Sequence, residues 1–350
     1  MSRRRGGWQR RARVVVRRAV AALALAAAPL AGAGRTELAW PTPNEAFAEG
    51  KGVAAFLQDA GSGDPASGGF GCVRSAGLQF HEGLDIKAVK RDRLGEPLDD
   101  VFAAMDGVVR YVNLRAGDSS YGRYIVLEHP EMTPAVYTLY AHLSRVAPGV
   151  RAGVRVGRGE TIATMGHTAG GYAIPRDRAH LHFEIGLWIT RDFPAWYAAR
   201  KFGSPNEHGI WNGMNLMGFD PLDFLRELRA GRVADFAGYI AGMAPAVRVR
   251  LATRRVPDFA QRYPTLVTKP VPADLAGWDI RFNWTGLPIA LTPLTAREAL
   301  GLAANQPVIS EVDAASARAH RCKSLAVARR GGWVPGRDLE TVLQQMFGLR

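Results

Sequence analysis

Polar and apolar residues alternate without a miss over 180–185, His-Leu-His-Phe-Glu-Ile, which is the pattern of a half-buried strand. On such a strand His180, His182 and Glu184 share one face, while Leu181, Phe183 and Ile185 pack inward from the other. Similar runs occupy 107–113, 124–128, 136–143 and 160–165, separated by turn signals such as Pro148-Gly149 and the glycines at 157 and 159. Short alternating runs punctuated by Gly and Pro predict a mainly β domain, an antiparallel sheet joined by hairpin-type connections. A short helical piece is expected over 45–57. A loop over 187–216 is followed by a helix over 220–230, where Asp220-Pro221 supplies a cap and a first-turn proline. Beyond 230 the pattern changes. Strands are expected over 247–251 and 278–284, a capping box at Thr295 and Glu298 opens a helix to about 302, and a last helix covers 338–347. We read this as a smaller C-terminal α+β domain.

The polar positions of these strands carry the candidate chemistry. His180 and His182 stand about 6 to 7 Å apart on one face. Upstream, His81 and Asp85 in His-Glu-Gly-Leu-Asp are four apart, and Gly83 favours an extended chain there. A His, a carboxylate and a distant His form the three-ligand set with which catalytic zinc leaves a fourth position for water. Another alternating strand, Tyr137-Thr-Leu-Tyr-Ala-His142-Leu143, ends on a histidine. Singly, a His-x-His strand reads as a solvated face and His-x-x-x-Asp as chance. Four of the eight histidines fall in these three motifs, which makes chance a poor account.

In this order the motifs resemble those of the M23 family of zinc metallopeptidases, the LytM or lysostaphin-type cell-wall endopeptidases. The likeness spans roughly 66–230 and includes Ala104-Met-Asp-Gly-Val-Val109 and the Gly-rich turn over 154–166. The resemblance implies one zinc per chain on His81, Asp85 and His182, with His142 and His180 as the catalytic histidines. It implies peptidoglycan, in its cross-links or stem peptides, as substrate. The chain departs from the family by an insertion over 172–177, by Arg178-Ala179 where Gly-Pro is usual, and by a long 186–216 segment. These departures bear on the groove and not on a ligand. Glu82 sits beside His81 as in His-Glu-x-x-His metalloproteases, but an extended chain turns it away from the metal, so no catalytic role is assigned to it. His129, His167, His208 and His320 are read as structural or surface residues, with His167 a candidate for the groove lining. The alternative function is a non-catalytic module of the same fold that binds cell wall or regulates another wall hydrolase.

Charge changes the picture at one end. The first eighteen residues hold eight arginines and no acid, and ten apolar residues follow over 19–28. That is the layout of a signal peptide, with cleavage expected near Ala33 and export to the periplasm or medium. The apolar run is too short for a membrane-spanning helix, so no stable anchor is expected after cleavage. Removing the eight arginines takes the formal charge from +13 to +5, which excludes a nucleic-acid footprint as the reason for the basic composition. The division expected is a signal peptide over 1–33, a lead-in over 34–65 that could lie across the groove, a peptidase domain over 66–230 and the C-terminal domain over 231–350. Two cysteines, Cys72 and Cys322, either bridge those two domains or stay as separate buried thiols. The oligomeric state is not legible.

Overall fold

The computed structural model describes residues 35–349; the expected signal peptide lies outside the described residues. Antiparallel strands dominate. The main sheet runs Leu216–Phe219, His180–Trp188, Val136–Ala141, Tyr124–His129, Gly107–Asn113 and Arg155–Val156, edge to edge. Leu84–Lys87 pairs with the first half of His180–Trp188, on the side that Leu216–Phe219 takes along the second half. A three-stranded sheet (Asp100–Phe102, Thr161–Thr164, Arg145–Val146) and the hairpin of Gly71–Arg74 with Gln79–His81 flank it. Past residue 230 a four-stranded sheet runs Pro288–Thr295, Leu275–Phe282, Val247–Ala252 and Pro307–Val312, and the helix Arg337–Phe347 follows.

The central strand is longer and more deeply buried than its alternation predicts. It reaches Trp188, and every residue from His180 on is buried. Leu181, Phe183 and Ile185 join one large core, which continues into Val249, Trp278, Ile280 and Phe347 of the C-terminal sheet and helix. The opposite face is covered by a smaller cluster of Tyr124, Tyr137, Trp188, Trp211 and Leu216. Trp211 comes from the expected loop over 187–216, which in fact holds the helix Phe193–Arg200, begun at a first-turn proline. From Glu184 onward the polar face is therefore roofed rather than solvated, and the polar groups there must pair with one another.

Two other expectations are corrected. Residues 45–57 form two single 3₁₀ turns, Glu45–Phe47 and Val53–Ala55, because Gly50 takes a left-handed φ of +73° between them. At 295–302 the capping box forms, with Glu298 accepting from Thr295 N–H at 2.8 Å, yet the chain makes only turns and reverses at Gly301. The helices at Pro221–Arg229 and Arg337–Phe347 match expectation. The lead-in packs Trp40, Phe47 and Phe56 together, centroids 5.0 to 5.9 Å apart, and only its Asp59-Ala60 end reaches the groove. Among the described residues no helix is long and apolar enough to cross a membrane.

Candidate metal centre

Strand register brings the motifs together. Asp85 lies directly opposite His182 on one side of the central strand, and Ala141, the residue before His142, lies opposite it on the other. Gly83 lets the Leu84–Lys87 strand start against the central one: a Cβ there would stand 2.3 Å from the Phe183 carbonyl oxygen. His81 ends the Gln79–His81 strand. His142 breaks its own strand with φ +62°, a left-handed conformation costing about 1–3 kcal/mol for a non-glycine residue. Close packing holds it there. Gly122 sits where a Cβ would be 2.1 Å from the Thr168 carbonyl oxygen, and that oxygen accepts from His142 Nδ1 at 2.8 Å.

Three donor atoms converge on the floor of a groove of about 440 Å³. His81 Nε2 lies 3.0 Å from His182 Nδ1 and 3.1 Å from Asp85 Oδ1, and the last two are 3.1 Å apart. All three residues are buried. Their protons point elsewhere. The Gly69 carbonyl sits 2.6 Å from His81 Nδ1 and can only accept, so that nitrogen donates. His182 Nε2 donates to Glu184 Oε1 at 2.9 Å. With both rings neutral, two nitrogen lone pairs and a carboxylate oxygen face one another with no proton among them, which calls for a cation. Zinc bonds of about 2.0–2.2 Å at tetrahedral angles place donors roughly 3.3 Å apart, close to the triangle seen here. Two imidazoles and one carboxylate suit that metal's borderline softness.

Electrostatics agree with a cationic site. Burial works against ionised Asp85, but His81, His180 and His182 around it hold its pKa well below the usual range. Burial pushes His182 down, and hydrogen bonds with Asp85 and Glu184 more than offset this, carrying it up to about 9, so with no metal bound a proton takes the cation's place. Glu184 is itself fully paired: Oε1 also accepts from the Tyr121 hydroxyl at 2.6 Å, and Oε2 from that of Tyr137 at 2.7 Å. Burial and the Glu184 charge push both tyrosines up, which keeps them donors. The sequence placed Glu184 on the right face without a role, and nothing local marked Tyr121 or Tyr137.

His142 and His180 line the same groove, with ring centroids 4.9 Å apart. Each donates Nδ1–H to a carbonyl, Thr168 at 2.8 Å and Arg178 at 2.7 Å, which leaves Nε2 as a lone pair. His180 Nε2 is 3.5 Å from Asp85 Oδ1. Burial lowers both pKa values, His142 the further because His180 and His182 stand beside it. The inserted segment contributes Tyr172 and Ile174 to the groove wall. Glu82 lines the groove outside the donor triangle. His167 supports the insertion from outside, between the Ile174 carbonyl and Glu96, and is not part of the lining. His129 and His208 are buried and hydrogen-bonded, and His320 stacks on Trp284 at 3.9 Å. Cys72 is bridged to Cys322, which removes it from any metal set.

Residues 79–191 match the family model described as peptidase family M23. Over that segment the chain is similar to M23 peptidases. Solved structures similar to it include a zinc containing peptidase from Vibrio cholerae (26% identity over 37% of this chain and 33% of that one, TM-score 0.26). A putative glycyl-glycine endopeptidase LytM from Ruminococcus gnavus is 29% identical over 31% of this chain and 39% of its own, with TM-score 0.25. The catalytic domain of lysostaphin from Staphylococcus simulans is 20% identical over 45% and 87%, with TM-score 0.28. The chain thus spans well under half of the first two, and at these TM-scores the likeness carries no argument about its own reaction. Comparison with curated proteins gives no match. The matched segment contains Asp85 and the four histidines of the groove, and the family it matches is one of peptidases.

Proposed function

We propose that the chain is an exported zinc endopeptidase of peptidoglycan, cutting cross-links or stem peptides, with one zinc on His81, Asp85 and His182 and with His142 and His180 as catalytic histidines. The observation that carries this reading is the triangle of donor atoms, with the other ring nitrogens of His81 and His182 turned to the Gly69 carbonyl and Glu184, beside two more imidazole nitrogens in one groove. A bound zinc would supply a water acidified to a pKa of about 7 and a Lewis acid for the scissile carbonyl. The chain's own residues do the rest. His142 and His180 are neutral near pH 7 and present Nε2 to the groove, where either can take a proton and return it to the leaving amine. The Thr168 and Arg178 carbonyls keep those rings in the tautomer that this task needs. Export rests on the arginine-rich, then apolar, start of the sequence, and the peptidoglycan substrate on the family resemblance. In this reading residues 66–230 carry the chemistry and 231–350 buttress it.

Digestion of purified sacculi by the mature chain, with mass spectrometry of the released fragments, tests the proposal. His142→Ala and His180→Ala should each keep zinc and lose about 10²- to 10⁴-fold in rate. Loss of zinc from His180→Ala would make it a fourth ligand and the site structural. Wall binding without fragments from the zinc-loaded parent would favour the non-catalytic module.

A further inference from the structure

Asp85 uses its two oxygens differently. Oδ1 faces His81, His182 and His180 at 3.1, 3.1 and 3.5 Å. Oδ2 faces the Arg74 guanidinium, 2.5 Å from its terminal nitrogen. Arg74 is held from behind as well, since its Nε donates to the Ser67 carbonyl at 3.2 Å. It ends the Gly71–Arg74 strand, which pairs with the Gln79–His81 strand and is tied down by the Cys72–Cys322 bridge. The same stretch supplies the Gly69 carbonyl that orients His81. One segment, 67–74, thus fixes two of the three donors.

We propose that Arg74 is a positioning residue for the metal centre: it holds Oδ2 so that Asp85 offers the metal Oδ1 alone. A carboxylate can bind a cation through one oxygen or both. Were Oδ2 free, it could turn in and fill the position that a three-ligand catalytic site leaves open. The guanidinium repels a cation, but it bears on the outer oxygen, and removing it strands a buried carboxylate oxygen without its partner. No sequence motif pointed to Arg74, because its partner is brought to it by the fold. The proposal rests on the zinc reading above.

The test uses the full mature chain, stripped of metal, with Arg74→Gln and Arg74→Lys. Zinc affinity is measured by competition with a chromophoric chelator, and coordination by the visible spectrum of the cobalt(II)-loaded protein. Arg74→Gln is expected to bind zinc about 10- to 100-fold more weakly, the usual range for an outer-shell partner. Its cobalt bands should weaken as the coordination number rises, and Arg74→Lys should restore part of both. Should the Gln variant not fold, the Lys variant is compared with the parent in both assays, its smaller change in the same direction supporting the proposal and no change overturning it. Parental affinity in Arg74→Gln, or weaker binding with an unchanged cobalt spectrum, overturns the proposal alone. A parent that takes up neither metal overturns the zinc reading, and this inference with it.

Discussion

Glu184 accepts three hydrogen bonds beneath the donor triangle, from Tyr121, Tyr137 and His182. Glutamine there keeps one neutral acceptor oxygen and turns an N–H₂ toward a donor, so His182 loses the charged partner that fixes its tautomer and raises its basicity. Glu184→Gln should lower zinc affinity about 10- to 100-fold by chelator competition, and an unchanged affinity would refute the role. His129 yields a pH prediction away from the metal. Its Nδ1 donates to the Asp106 carbonyl, and its Nε2 lies 2.8 Å from the Thr138 hydroxyl oxygen. Burial pushes its pKa down to about 4. Between about 6.5 and 4 the unfolded chain binds a proton that the native one refuses, so stability falls as pH drops through that window, by about 3 kcal/mol in all. Urea unfolding at pH 7 and pH 4.5 should show a smaller acid loss in His129→Gln than in the parent; equal losses would sink the idea. All five candidate site residues were named from the sequence, the three histidines at 142, 180 and 182 from alternating runs and His81 with Asp85 from their spacing, their roles coming from the family resemblance. Their supports, the Gly69 carbonyl, Arg74 and the two tyrosines, were not, since a carbonyl has no residue type, Tyr137 reads as an ordinary strand residue and Tyr121 falls between expected strands.

At the scale of elements, alternation located strands well and misjudged their surroundings. Period two says which residues share a face but not whether another segment covers that face, and Trp211 does so here. The strand Pro288–Thr295 escaped because its prolines at 288 and 293 argue against a strand; it is an edge strand, where proline is tolerated. The helices Phe236–Ala241 and Asp258–Arg262 are too short to show a helical period. The capping box at Thr295 formed as a local motif, and the turn at Gly301 stopped the helix it would open. Gly83 tests the join between elements. Because the atom a Cβ would strike is backbone, Gly83→Ala must push the Leu84–Lys87 strand off the central one, at a cost of about 1–3 kcal/mol typical of overpacking. Thermal melts should show that loss, together with reduced zinc content, since Asp85 moves with the strand. Parental melting and metal content would show that the strand junction yields freely.

Over the whole molecule, the two parts separated by sequence pattern share one core and one covalent tie. Arg262, from the C-terminal half, donates to the Trp188 and Ile189 carbonyls at 2.9 Å and stacks on the Trp188 ring, holding the far end of the central strand. Cys72–Cys322, residues 250 apart, ties the Gly71–Arg74 strand to the C-terminal half. Closing so long a loop is worth up to about 5 kcal/mol in the chain-entropy model. The double variant Cys72→Ser/Cys322→Ser should unfold at lower denaturant by an amount in that range and bind zinc more weakly, because the Arg74 strand is no longer pinned; unchanged midpoint and affinity would show the tie to be idle. The tie also sets an order in time. At roughly 5–20 residues per second, Cys322 leaves the ribosome some 12 to 50 s after Cys72. Throughout that interval the Gly71–Arg74 strand is held by its pairing with Gln79–His81 but not by the bridge, so a nascent chain can carry every proposed metal ligand before its long-range tie exists.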